Sequence, residues 1–279
     1  MRTRVPMVVA VLSVLVSVTN ANAGTSAEQP RESRESARAA LYPKVSNFLD
    51  EIAALEPVVL APELQFPTRG SLPGWRDAVC PQLSGLSEQE RDLILARVSE
   101  IGRTAGVRMA GGQCRPNLYI FMTDQPKELL RRLEHQDSFA MFGPRGRPYL
   151  VDQLIAAPRA VRVWYNIFDG EPTVSFAYAF TRVLVIVDQR QLQAVSPRQL
   201  ADYIAMVGFA EIKPGARLGD APSILSLFDP APRAAPAGLS AWDQAFLSSL
   251  YSNSGSRPWR RALAESDQLT LSMLKQIAP

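Results

Sequence analysis

Apolar residues recur at helical spacing over residues 87–104 (SEQERDLILARVSEIGRT), where Leu93, Ile94, Val98 and Ile101 form one stripe. Ser87 opens that stretch with Glu90 three residues on, a capping-box arrangement, and Gly106 suits its stop. The pattern predicts a helix. Residues 117–122 (NLYIFM), 161–167 (VRVWYNI) and 182–188 (RVLVIVD) are apolar runs of strand length, the last dominated by β-branched residues. A turn is expected at 168–172 (FDGEP) and a further short strand at 175–180. Residues 128–134 read as helix, and 142–148 (FGPRGRP) as loop. Ser196 and Pro197 then open a helix through 197–211 (PRQLADYIAMVGFAE). A loop at 213–222, a Pro/Ala-rich stretch at 229–238 and a strong helix at 239–251 follow, the last capped by Ser240 with Asp243 three positions on.

The flanks differ. Residues 45–55 (VSNFLDEIAAL) have helical spacing, 57–73 carry four prolines and read as an extended connector, and a last amphipathic helix is expected from about 259 to 274. Residues 24–40 show no apolar period and are expected to lack structure. Residues 1–23 read as a secretory signal peptide, with Arg2 and Arg4 ahead of an apolar run and Ala21-Asn22-Ala23 as the cleavage site. That run spans about 14 residues, short of the roughly 20 a bilayer core needs, and nothing later looks like a span. The expectation is export to a periplasm or beyond. The chain thus divides into a signal peptide (1–23), a leader, short helix and connector (24–74), a core domain (75–251) and a helical tail (252–279).

Charge changes the picture little. The full chain carries 30 basic and 27 acidic residues, and removing the signal takes two arginines, leaving a net charge of +1. No basic face points to nucleic acid. The two cysteines, Cys80 and Cys114, are expected to pair in an oxidising compartment, stabilising the fold by roughly 3 to 4 kcal/mol through loop closure.

The candidate chemistry lies in 197–211. Set against the zinc-protease pattern H-E-x-x-H-x-x-G, Ala201 and Ala205 stand where the histidines would be, Asp202 where the glutamate would be, and Gly208 at the glycine. Ser223-Ile224-Leu225 follows where the pattern's family often reads S-I-M, and residues 239–251 fit its closing helix, L-S/T-x-x-D-x-x-x-L-x-x-L-Y. By this order and spacing, residues 75–251 resemble the metzincin-like catalytic domain of secreted zinc peptidases, and a bacterial family of exported proteins of unknown function with that core. The resemblance implies an α+β, zincin-like fold, with a small mixed sheet packed with helices and the motif helix after the last core strand. It also implies a sheet-edge strand that pairs with extended substrate.

The family's chemistry does not carry over. Two imidazoles one turn apart hold zinc because positions i and i+4 share a helix face, and alanine cannot ligate at either. Glu211 stands at the third ligand position, but two carboxylates without histidine make a poor zinc site, so neither metal nor cofactor is expected. The one histidine, His135, sits among charged neighbours and reads as a solvated surface residue. No G-x-S-x-G is present, and the glycine pairs lack the spacing of phosphate loops. Trp164, Tyr165 and Asn166 fall on the strand that lies near the cleft in zincins, where polar-tipped aromatics suit a binding groove. The resulting expectation is an exported, zinc-less pseudopeptidase that keeps a cleft for peptide or protein. The alternatives are a hydrolase working through Asp202 and Glu211, and a structural protein of the cell envelope.

Overall fold

Val183, Leu184, Val185, Ile186 and Val187 are each wholly buried, so the strand that carries them must be covered on both faces. The computed structural model describes residues 29–53, 57–58, 68–69, 72–143, 148–168, 179–216, 218–229, 236–252 and 265–278. The chain opens with helix α1 (Gln29–Ile52) and continues through the short strands β1 (Pro57–Val58), β2 (Thr68–Arg69) and β3 (Gly74–Trp75). Next come β4 (Pro81–Ser84), α2 (Glu88–Ala105), β5 (Leu118–Thr123), α3 (Pro126–Phe142) and α4 (Pro148–Ala156). Then follow β6 (Val161–Phe168), β7 (Ala179–Asp188), α5 (Pro197–Phe209), α6 (Ala241–Ser252) and α7 (Glu265–Ile277).

The sheet is mixed. Strand β7 pairs with antiparallel β6 over Ala179–Val187, with one register shift between Asn166 and Ile167, while its other edge is shared by parallel β5, over Val183–Asp188, and parallel β3, over Ala179 and Phe180. Strand β4 lies parallel beyond β5. The two faces separate by residue parity. Val183, Val185 and Val187 join a large apolar cluster with α2 and α5, whereas Leu184 and Ile186 join a smaller one with Leu130 and Phe142 of α3 and Val151 and Ile155 of α4.

Local signals act as expected. The Ser87 hydroxyl accepts from the Glu90 N–H and the Glu90 carboxylate accepts from the Ser87 N–H, while Gly106 closes α2 at φ 92°, a conformation that favours glycine. Ser196 and Gln199 form a second capping box, with Pro197 in the first turn of α5. Cys80 and Cys114 form a disulfide that ties the start of β4 to the loop before β5.

Several elements differ from expectation. Helix α1 begins at Gln29, within the stretch expected to lack structure. Its exposed part, 35–40 (ESARAA), is rich in good helix formers, and it extends a helix already anchored by buried Val45, Phe48, Leu49 and Ile52. Those residues, with Leu269, Met273 and Leu274 of α7, belong to the large core cluster, so the flanking helices pack onto the central body. Helix α3 runs to Phe142, and α4 was not foreseen. The expected signal peptide, most of the turn expected at 168–172 and most of the strand expected at 175–180 lie outside the described residues. No helix among the described residues is long and apolar enough to cross a membrane.

Candidate functional site

Helix α5 is enclosed along most of its length. From Leu200 to Phe209 only Tyr203 escapes full burial, and it packs edge-on against Phe228 at 4.9 Å. Ala201 and Ala205 are completely enclosed. Gly208, one turn further on, faces β5, where the Leu118 methyls stand 3.3 and 3.4 Å from the place a Cβ would take. The two positions that would carry the histidines are therefore closed inside the core, where an imidazole would have no room.

Asp202 is wholly buried, yet it does not face an open cleft. Arg97 of α2 donates to it from Nε at 2.7 Å and from Nη2 at 3.2 Å, and the Leu239 N–H donates at 2.8 Å. The Asp202 carboxylate in turn holds the Arg97 guanidinium well above its usual range, against the opposing effect of burial. Gly238 closes over the pair, since a Cβ there would come within 2.6 Å of Oδ2. Asp202 is an anchor joining α5, α2 and the segment before α6. Arg97 was missed from the sequence, although a signal was present. It stands three residues after Ile94 and four before Ile101, so it is a cation placed on an apolar stripe, which calls for a buried anion.

The other end of α5 is sealed by aromatic donors. A helix leaves its last four carbonyls without partners inside the helix. Here Met206 O accepts from the Ala210 N–H at 3.2 Å, Val207 O from the Tyr165 hydroxyl at 2.9 Å, Gly208 O from the Trp75 indole N–H at 2.8 Å and Phe209 O from the Tyr251 hydroxyl at 2.5 Å. The two hydroxyls also accept, Tyr165 from the Ile212 N–H and Tyr251 from the Trp75 N–H, each at 3.3 Å. Burial raises the pKa of both phenols well beyond the ordinary tyrosine value.

Strand β6 works on both sides. Tyr165 points to the α5 side, while Trp164 and Asn166 point to α3, where the Trp164 indole donates to Phe142 O at 3.0 Å and the Asn166 amide to Met141 O at 2.7 Å. Trp164 also stands edge-on to Phe142 at 5.4 Å. The three residues proposed for binding, Trp164, Tyr165 and Asn166, thus clamp the C-termini of two helices to one strand.

The remaining candidates are apart. Glu211 lies half-buried just past the end of α5, while the Asp202 carboxylate is taken up by Arg97 and the Leu239 N–H. His135 is exposed on α3. Among the described residues no three of His, Cys, Asp and Glu gather to hold a metal ion. The chain matches no protein-family model, no curated protein and no solved structure.

Proposed function

We propose that this chain is an exported, zincin-like binding protein in which the motif helix serves as a structural rod and the sheet edge at β6 receives an extended peptide. The observation that carries this is the position of β6. It is an eight-residue antiparallel strand whose only strand partner among the described residues is β7. An open edge of that length offers a row of backbone donors and acceptors, which is all that strand addition needs. The edge is also rigid, because Trp164, Tyr165 and Asn166 lock it to α3 and α5. Preorganisation of this kind lowers the ordering cost of binding. Two further features support the zincin-like part, namely that α5 is the first α-helix after β7, beyond a short 3-10 turn at Gln189–Gln191, and that Ser223-Ile224-Leu225 begins a short 3-10 helix with Phe228 against Tyr203. A binding role is favoured over hydrolysis because Asp202, the one carboxylate at a catalytic position of the motif, is committed to Arg97 and Leu239.

The test is residue-resolved hydrogen exchange with a pooled library of ten-residue extended peptides. Added protection confined to residues 161–168 is the expected result. Protection elsewhere, or none at millimolar peptide, would remove the proposal.

A further inference from the structure

The groove between α1 and α7 is a separate feature that the β6 reading does not use. It offers about 460 Å³ of partly open space and is lined by Arg38, Ala39 and Tyr42 of α1 and by Leu271, Leu274 and Lys275 of α7. That volume falls within the range of about 300–1,000 Å³ typical of small-molecule sites. Its walls are mainly apolar, and Leu271 is half exposed. Its two charged members are both cations, and neither has an ion-pair partner among the described residues. Long cationic side chains can lay their methylene stems along an apolar slot while keeping their charged heads at the water boundary.

We propose that this groove binds a single-chain anionic amphiphile, an alkyl tail ending in a carboxylate or phosphate, taken up as a free monomer. The tail would lie against Ala39, Leu271 and Leu274, and the head would meet Arg38 and Lys275 in charge-assisted hydrogen bonds. A neutral or cationic head would leave that complementarity unused.

Calorimetric titration of the purified chain with dodecanoate and with dodecyl phosphate, both below their micellar concentrations, provides the test. Saturable one-to-one binding is expected, with dodecyltrimethylammonium weaker by about tenfold or more, as loss of charge-assisted hydrogen bonds requires. The pair Arg38→Gln and Lys275→Gln should weaken the anions by a similar factor, and Leu271→Trp, which fills the groove, should abolish binding of every probe. Unchanged circular dichroism identifies folded variants, and the glutamine pair keeps the test valid if the tryptophan variant fails to fold. Absence of saturable binding, equal affinity for the cationic probe, or binding unaffected by the variants would each overturn the proposal. Association with phosphatidylglycerol vesicles without binding of either monomer would also overturn it, in favour of a membrane surface.

Discussion

Asp202 and Asp243 are both completely buried aspartates, and the chain satisfies them in opposite ways. Asp202 is paired with a cation, Arg97, from an element 105 residues away. Asp243 has no cation partner among the described residues. It accepts from the Ser223 hydroxyl at 2.5 Å, the Ile224 N–H at 2.8 Å and the Ser240 N–H at 2.9 Å. Burial therefore pushes the Asp243 carboxyl above its usual range, although these hydrogen bonds pull the other way. The first aspartate holds three elements together by charge. The second caps α6 and fixes the Ser223–Leu225 turn by hydrogen bonds alone. A buried acid in this fold reflects how helices are joined, and burial by itself does not make it catalytic.

The sharpest way to break the comparison is Arg97→Ala, which leaves Asp202 buried without its cation. It should cost about 3 kcal/mol, at the lower end for a broken buried pair because Arg97 is partly solvated. Replacing both partners by Met and Leu should recover most of that loss. Denaturant midpoints measure both, and a loss below about 1 kcal/mol for the single change would mean that the pair is not an anchor. Next in size, Tyr251→Phe strips partners from Phe209 O and the Trp75 N–H and should cost about 1 to 3 kcal/mol by the same measurement.

The smallest effect is the most diagnostic of the difference. Asp243 has a folded pKa raised above its unfolded value, so the unfolded state gives up its proton first as pH rises. Stability should therefore fall as pH climbs from the ordinary aspartate value toward the raised one. Asp243→Asn can keep accepting from the two N–H groups and should flatten that part of the stability–pH curve. An unchanged slope in this variant would place the titration on another group.

Much of the fold was legible because its signals are local. The capping box of Ser87 and Glu90, the Ser196-Pro197 opening, the Ser240 cap of α6 and the β-branched run of β7 each act over a few residues, so the sequence displays them directly. Helix α4 was not legible, since nine residues behind a proline depend on packing against β6 and β7 to hold helical structure. The candidate site was legible only in part. Residues 201–208 could be aligned with the zinc-protease pattern, but the orientation of α5 could not be read, and it is orientation that encloses Ala201 and Ala205 and sets Gly208 against Leu118.

By itself the sequence determined the starts of α2, α5 and α6, the β-branched run of β7, which cysteines could pair, and that α5 lacks histidine. Those outcomes rest on capping chemistry, side-chain periodicity and residue identity, all of which operate along the chain. Tertiary structure alone decided that Arg97 neutralises Asp202, that Trp75, Tyr165 and Tyr251 complete the carbonyls of α5, and that β6 clamps two helices. Each of these joins groups tens to nearly two hundred residues apart, and a buried donor or charge takes its partner from whatever the packed fold brings within hydrogen-bond reach.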